Sequence, residues 1–356
     1  MADENITTDN TTTKYVQKIL FGSPGTGKSY KILDGGSSIK NGLNIESNEN
    51  IFRTIFHPEY KYGDFMGKLL PHTEGGGITY KFYSGIFLKA LAKAYRNFLD
   101  GNKENVLLIV DEINRGNTAA IFGTVFQLLD RNEDGWSSYE VNVSDLEFNA
   151  LLNAMDIAKT SKTTFAKCSD DAEVVLPEDL KFLLNGEIKI PQNLSIVGTM
   201  NTSDESIYYM DSAFKRRWEW EYIPVDGGIA PKIGEISLQD LKISDWDVSY
   251  KNINDFILEN DKYVRKVEDK LIGKWFLKEN ERDLKSVQNK LMFFLWDTVF
   301  QRDKTPLEEL LNKGIKEEDK VTLKTFGDFA DHVGDFLKKR NINYDTAQQK
   351  QDDPQN

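Results

Sequence analysis

The sequence that decides the fold covers residues 22–29 (GSPGTGKS) and has the spacing G-x-x-x-x-G-K-S. It follows an apolar run at 15–21 and precedes a helix-compatible stretch, so it lies where a strand would turn into a helix. Glycines in such a loop let the backbone curl until its N–H groups point at phosphate oxygens. The lysine reaches the outer phosphates, and the serine hydroxyl ligates Mg²⁺. The pattern therefore predicts a phosphate-binding loop, whose residues are Gly22, Ser23, Pro24, Gly25, Thr26, Gly27, Lys28, Ser29 and Tyr30.

Two carboxylates end a second apolar run, which occupies 105–112 (NVLLIVDE). The carboxyl end of a strand in an open α/β sheet borders the ligand crevice. There we expect Asp111 to hold Mg²⁺ and Glu112 to polarise the attacking water. An acidic pair taken alone is more often a helix N-cap, but the phosphate-binding loop in the same chain favours nucleotide chemistry.

Three more candidate catalytic residues follow. Asn201 ends the apolar run 193–201, where an amide would orient the lytic water or contact the γ-phosphate; the alternative is a capping asparagine. Arg216 and Arg217 belong to FKRRW, and consecutive cations are costly in a core, so they face solvent or an anion. In a ring of subunits one of them could reach the neighbour's γ-phosphate as an arginine finger. The alternative is a solvated basic patch, and the sequence does not choose between the two arginines.

The chain as a whole has the pattern of an α/β protein. Short β-branched apolar runs alternate with amphipathic segments, which is typical of buried parallel strands with helical crossovers. Apolar spacing predicts helices over 87–98 and 119–129. From 253 to 299 apolar residues recur only at helical spacing, without the alternation of a strand. The predicted organisation is a flexible tail at 1–14, an α/β nucleotide-binding core at 15–230 with an insertion at about 131–187 holding a hairpin and a short helix, a small all-helical domain at 231–342 and a flexible tail at 343–356.

Composition excludes several classes of protein. The 356 residues include 45 Lys and Arg against 57 Asp and Glu, and a net charge of −12 makes a poor stand-alone nucleic-acid binder. One cysteine, Cys168, and three histidines argue against a cysteine- or histidine-rich metal centre. No run approaches the roughly 18 apolar residues of a membrane helix, and the polar N-terminus is not a signal peptide. We therefore expect a cytoplasmic protein.

Several passages together resemble one family. The phosphate-binding loop, the Asp-Glu pair, the strand-terminal asparagine, the arginine cluster and a helical lid are the parts of an AAA+ ATPase. FHPEYKYGDF (56–65) resembles the FHxSYSYEDF segment of the McrB family, and DEINRGN (111–117) is similar to its DEINRAN. GTMNTSDES (198–206) resembles its MNTADRS signature, AFKRRW (213–218) its ALRRRF, and IGKWF (272–276) its IGHSYF in the lid.

The resemblance implies a function and roles. McrB proteins are NTP-driven motor subunits of modification-dependent restriction systems; they form hexameric rings, prefer GTP and are stimulated by McrC, which carries the nuclease. It implies ATP or GTP as substrate, Mg²⁺ as cofactor, a McrC-like nuclease as partner and contact with DNA mainly through that partner. By resemblance Asn201 is sensor 1, Arg216 and Arg217 are finger candidates, and Asp204 belongs to the nucleotide-proximal signature.

The sequence departs from the family at two places. Glu205 replaces the signature arginine, and only about 14 polar residues precede the first strand, where McrB proteins usually carry a DNA-reading domain. Two other functions stay open: a MoxR-like chaperone that remodels a client protein, and a nucleotide-gated assembly module in which Glu205 has silenced hydrolysis. The sequence does not decide between adenine and guanine.

Overall fold

The structure is a computed structural model that describes residues 15–74, 77–101, 104–201, 208–224, 232–233, 236–238 and 240–346. Internal contacts divide the chain into two compact units, Met1–Glu219 and Trp220–Asn356. The boundary predicted between 230 and 231 falls among residues outside the described ranges. Within those ranges, no helix has both the length and the apolar character needed to cross a membrane.

The strands are short, apart from those of the central sheet and one hairpin. They are β1 (Gln17–Gly22), β2 (Ile51–Ile55), β3 (Gly67–Glu74), β4 (Gly77–Ser84), β5 (Val106–Asp111), β6 (Val141–Asn142), β7 (Ile157–Lys159), β8 (Phe165–Lys167), β9 (Glu173–Val174), β10 (Glu187–Ile188), β11 (Leu194–Asn201), β12 (Glu219–Tyr222), β13 (Lys232–Ile233), β14 (Ile236–Ser237), β15 (Lys242–Ile243) and β16 (Tyr344–Asp345).

The helices include single turns as well as longer segments. The α-helices are α1 (Lys28–Leu33), α2 (Ile39–Gly42), α3 (Tyr62–Phe65), α4 (Ile86–Leu99), α5 (Thr118–Phe122), α6 (Asp145–Ala154), α7 (Ser212–Lys215), α8 (Trp246–Glu259), α9 (Leu284–Ser286), α10 (Thr305–Asn312), α11 (Phe326–Asp331) and α12 (Val333–Lys339). The 3₁₀-helices are Asn48–Asn50, Ile113–Arg115, Gly123–Leu129, Glu178–Asn185, Asp261–Tyr263, Val267–Lys270, Glu279–Glu281 and Glu317–Asp319, and the π-helices are Val287–Met292 and Leu295–Val299.

The central sheet has five strands in the order β12-β1-β11-β5-β2. β1 pairs with β11, β11 with β5, and β5 with β2, all in parallel, which confirms the predicted α/β fold. Every residue of β5 is buried, because helices cover both faces of a parallel sheet. The register sets Gly22 beside Asn201 and Ile55 beside Asp111. The ends of four strands therefore meet at one edge.

One predicted helix is interrupted. The segment 119–129 holds α5 and then a 3₁₀-helix, and the break falls at Gly123, whose φ is 49° and ψ −125°. A β-carbon there would lie 2.7 Å from the ring of Tyr62, so the turn needs glycine. The helix predicted over 87–98 is α4, whose buried side chains include Phe87, Leu91 and Phe98.

Two antiparallel features accompany the sheet. In the predicted insertion, a capping box between Ser144 and Glu147 starts α6, and β7, β8 and β9 form a three-stranded sheet beside it. The helix and hairpin expected there are both present. A second hairpin, β3–β4, pairs along its whole length from Gly67 and Ser84 and was not predicted.

The second unit is helical, as predicted, and it also contains short strands. β13 pairs with β14 and β15 with β16, each antiparallel over two residues. The expected tail at 343–356 is therefore wrong for its first residues, because β16 is paired and Thr346 is 2% exposed.

Candidate active site

The phosphate-binding loop closes on itself through its own side chains. Lys28, the first residue of α1, is buried, and its Nζ donates to the carbonyl oxygens of Gly22 at 3.1 Å and Ser23 at 2.7 Å. The hydroxyl of Thr26 donates to the Ser23 carbonyl at 3.0 Å. Pro24 and Gly25 are exposed. The loop is therefore a compact turn held by hydrogen bonds from its own side chains to its own carbonyls.

Two glycines set the conformation of the loop. Gly25 has φ +79° and Gly27 has φ +85°, and nothing lies within 4 Å of a β-carbon built on either. Glycine is needed at both for its backbone conformation rather than for space. Ser29 and Tyr30 follow in the first turn of α1 and are exposed, Tyr30 by 61%. The hydroxyl of Ser29 can therefore contact a ligand.

Asp111 lies at the buried end of β5 and accepts hydrogen bonds from two neighbouring strands. The Thr199 hydroxyl of β11 donates to its Oδ1 at 2.9 Å, and Nε of Arg53 on β2 donates to its Oδ2 at 2.5 Å. Thr199 also accepts the backbone N–H of Glu112 at 3.3 Å. Neither Thr199 nor Arg53 was assigned a role from the sequence. Thr199 lies within the family-like GTMN passage, whereas no motif indicated Arg53.

Glu112 and Asn201 meet at the same edge of the sheet. Nδ2 of Asn201 donates to Oε1 of Glu112 at 2.8 Å. Glu112 has φ 52°, a left-handed conformation that is costly for a residue with a β-carbon and that clusters at functional sites. Glu112 ends β5 with a sharp turn into the 3₁₀-helix Ile113–Arg115. The two residues that sequence analysis assigned to water and to the γ-phosphate are therefore in direct contact.

The two candidate arginines differ in their surroundings. Arg217 donates through Nε and Nη2 to Oδ2 of Asp130, at 2.9 and 2.6 Å, and its guanidinium lies 4.1 Å from the ring centroid of Phe126. Its side chain is 8% exposed. Arg216 ends α7 and is exposed. Of the two, Arg216 is the one whose charge faces outward; Asp204 and Glu205 lie outside the described residues.

The residues at this edge fit Mg²⁺ and a triphosphate. Mg²⁺ prefers oxygen ligands and, in nucleotide sites, takes several of them from phosphates and water. The hydroxyl of Ser29 and the carboxylate of Asp111 are such ligands, and Asp111 keeps lone pairs beyond its two accepted hydrogen bonds. Among the described residues, no cluster of three His, Cys, Asp or Glu side chains could hold a metal by itself.

The fold and this edge define a class of protein. A GKS loop follows β1, an Asp-Glu pair lies at the end of β5, and an asparagine ends β11, the strand between β1 and β5 in the sheet. This is the arrangement of a P-loop NTPase of the AAA+ class.

Comparison with known proteins identifies the family. The family model "AAA domain (dynein-related subfamily)" matches residues 17–218, more than half of the chain. The type II restriction enzyme BsuMI component YdiS of Bacillus subtilis (strain 168) is 32% identical over 322 residues, which cover 81% of this chain and 80% of the relative. The type IV methyl-directed restriction enzyme EcoKMcrB subunit of Escherichia coli (strain K12) is 25% identical over 210 residues. The chain belongs to this AAA family and is a McrB-like AAA+ NTPase.

The two relatives are matched to different extents. The match to the E. coli subunit covers 59% of this chain but 35% of the relative, so the chain spans about a third of that protein's length. The predicted fold class and family are confirmed. Family membership supports nucleotide hydrolysis in general.

Proposed function

We propose that this protein is an Mg²⁺-dependent nucleoside triphosphatase that acts as a homo-oligomeric ring, a hexamer, and drives a McrC-like nuclease subunit in DNA restriction and phage defence. The observation that carries the enzymatic part is the contact between Asn201 and Glu112, 2.8 Å, beside a buried Asp111. The restriction part is supported by both relatives, whose names place them in restriction enzymes. DNA is then contacted mainly through the partner, in keeping with the net charge of −12.

Each residue of the edge has one role in this proposal. Lys28 binds the outer phosphates, and Ser29 and Asp111 hold Mg²⁺, which when bound neutralises phosphate charge. Glu112 accepts a hydrogen bond from the attacking water and polarises it. Asn201 orients that carboxylate through the hydrogen bond to Oε1 and contacts the γ-phosphate. Asp204, which lies outside the described residues, is assigned to the nucleotide site by its resemblance to the family signature.

Arg216 is our candidate for the arginine finger, which acts on the γ-phosphate of the neighbouring subunit. Arg217 forms a hydrogen bond to Asp130 and packs on Phe126 of the same chain. To reach the active site of a neighbouring subunit, its side chain would have to break this charge-assisted hydrogen bond. Arg216 is exposed and needs no such rearrangement. A finger in trans makes hydrolysis depend on assembly.

The test of the proposed function is phosphate release with Mg-ATP and with Mg-GTP, with size-exclusion chromatography in parallel. We expect turnover and nucleotide-dependent assembly, and the ratio of the two turnover rates measures the preference between ATP and GTP. The Glu112→Gln variant should lose about 10²- to 10³-fold in turnover while it still binds nucleotide, because it removes the water-polarising charge and keeps the shape. Glu140→Gln, an exposed partner of Lys189 at 2.8 Å, is the matched control and should behave as wild type. Wild-type turnover in Glu112→Gln would refute the role of Glu112.

A mixing experiment tests the finger. Arg216→Ala subunits and Glu112→Gln subunits are each inactive in the proposal, but a mixed ring contains interfaces with an intact glutamate on one side and an intact arginine on the other. We expect activity to reappear on mixing. If Arg217→Ala gives the same complementation and Arg216→Ala is fully active alone, the assignment of Arg216 is wrong.

A further inference from the structure

Asn114 lies at the turn that follows the catalytic glutamate. It is the middle residue of the 3₁₀-helix Ile113–Arg115 and is 2% exposed. Its Nδ2 donates to the backbone carbonyl of Asn201 at 3.1 Å. Its Oδ1 has no hydrogen-bond partner in the part of the chain that the structure describes. The Asn114 side chain thus contacts the backbone of Asn201, and the side chain of Asn201 in turn contacts Glu112.

The backbone of Asn114 makes a second contact of the same kind. Its carbonyl oxygen accepts the N–H of Tyr208 at 2.7 Å. Asn201 and Tyr208 are the described residues on either side of positions 202–207, a passage that includes Asp204 and Glu205 of the family-like signature. Asn114 therefore bonds to the chain on both sides of that passage, with its side chain at one end and its carbonyl at the other.

The Asn114 side chain is not needed to attach the Ile113–Arg115 turn to β11. Ile113 already packs there, because a β-carbon built on Gly198 would lie 3.2 Å from its Cδ1, and Ile113 is fully buried. The backbone of the turn is closed by the N–H of Arg115, which donates to the Glu112 carbonyl at 2.8 Å. What the Asn114 amide adds is a fixed position for the Asn201 backbone relative to Glu112.

We propose that Asn114 is a positioning residue for hydrolysis: it holds the Asn201 backbone so that the Asn201 amide stays on Oε1 of Glu112. This inference rests on the proposed function, since it takes Glu112 as the residue that polarises water. Placement errors of about 1 Å at a reacting group can cost on the order of 10²-fold in rate. Asn114 is one of several restraints on this placement, so its loss should cost less than that, about tenfold in kcat. Nucleotide affinity should stay within about twofold of wild type.

The test compares Asn114→Ala with Asn117→Ala, a matched control in the same motif. Asn117 is exposed and caps α5 by accepting the N–H of Ala120 at 3.2 Å, so its loss also removes a hydrogen bond of the fold. We expect about tenfold lower kcat for Asn114→Ala, unchanged nucleotide affinity, and near wild-type kcat for Asn117→Ala. Equal kcat in the two variants would overturn the proposal.

A double-mutant cycle separates positioning from general damage. If Asn114 acts through Asn201, Asn114→Ala should cause no further loss of kcat in an Asn201→Ala background. Losses that multiply would show that Asn114 acts elsewhere, and would overturn the proposal. If wild type does not hydrolyse nucleotide at all, the proposed function fails, and that result is seen before any variant is compared.

Hydrogen exchange tests, without measuring hydrolysis, whether Asn114 holds the end of β11. Hydrogen exchange of the peptide that covers the end of β11 should be about tenfold faster in Asn114→Ala than in wild type, and unchanged in Asn117→Ala. Equal exchange in all three proteins would show that the Asn114 amide does not hold this segment, whatever the activity.

Discussion

The predicted phosphate-binding loop and the candidate catalytic edge, formed by the ends of β2, β5 and β11, are built in opposite ways. In the loop, the side-chain hydrogen bonds of Lys28 and Thr26 end on carbonyls three to six residues away in sequence. At the edge, Arg53 contacts Asp111 from 58 residues away, and Asn201 contacts Glu112 from 89 residues away. The loop is a local backbone structure, whereas the edge is assembled by strand pairing.

Substitutions should therefore affect the loop and the edge differently. A loop set by its own residues can lose ligand affinity without disturbing the sheet. An edge assembled from three strands couples its members, so a change on one strand alters a carboxylate on another. The predictions below test this contrast.

The largest effect is expected in the loop. Lys28→Ala should weaken nucleotide binding by about 100-fold, or about 2.7 kcal/mol, because a cation that bonds the phosphates is lost. Titration of a fluorescent nucleotide measures this, with Lys40→Ala, a partly exposed lysine of α2, as control. The thermal midpoint should change little in either variant. A large drop in the midpoint for Lys28→Ala would show that the loop is not independent of the sheet.

An intermediate effect is expected for Thr199→Val. It keeps the shape of the side chain but removes the hydroxyl that bonds both Asp111 and the Glu112 backbone. We expect about tenfold lower kcat and about 1 kcal/mol lower free energy of unfolding, because a buried carboxylate loses one partner. Thr54→Val on β2, whose hydroxyl bonds Tyr60 at 3.1 Å, is the matched control for steady-state kinetics and urea unfolding. If the control loses as much kcat, the hydroxyl of Thr199 has no special role.

The smallest effect is expected for Arg53→Gln. The guanidinium lies 2.5 Å from Asp111, so its charge opposes a divalent cation on the same carboxylate. The side chain of Arg53 is 48% exposed, and solvent screens much of this effect. We expect Mn²⁺, measured by electron paramagnetic resonance with nucleotide present, to bind about threefold more tightly. Arg96→Gln, which loses a pair with Asp100, is the control; weaker Mn²⁺ binding in Arg53→Gln would instead show that Arg53 orients Asp111.

The elements that the sequence predicts correctly are those whose residue pattern lies within one short segment. The loop, the parallel strands and α4 were predicted from spacing and periodicity, and the structure agrees with them. The interrupted helix at Gly123 was missed because the break depends on the ring of Tyr62, which comes from another part of the chain. The β3–β4 hairpin had a local signal that was not used: glycines at 75–77 precede the alternating run ITYKF at 78–82.

The two adjacent arginines show what only tertiary structure decides. In sequence Arg216 and Arg217 are equivalent cations, and nothing nearby separates them. In the fold, Asp130 and Phe126 engage Arg217 and leave Arg216 exposed. Which arginine is held and which is exposed depends on partners that are about ninety residues away in the sequence; Asp130, for example, is 87 residues from Arg217.

By itself the sequence determined the class of the protein, and it predicted the candidate phosphate-binding loop and the acidic and amide residues of the candidate catalytic edge, because these follow from spacing within short segments and from the ends of apolar strands. Tertiary structure alone decided which side chains touch: Thr199 and Arg53 on Asp111, and Asn114 on Asn201. The reason is physical. Parallel strands that are neighbours in the sheet are distant in the chain, and pairing them sets contacts that no local pattern encodes.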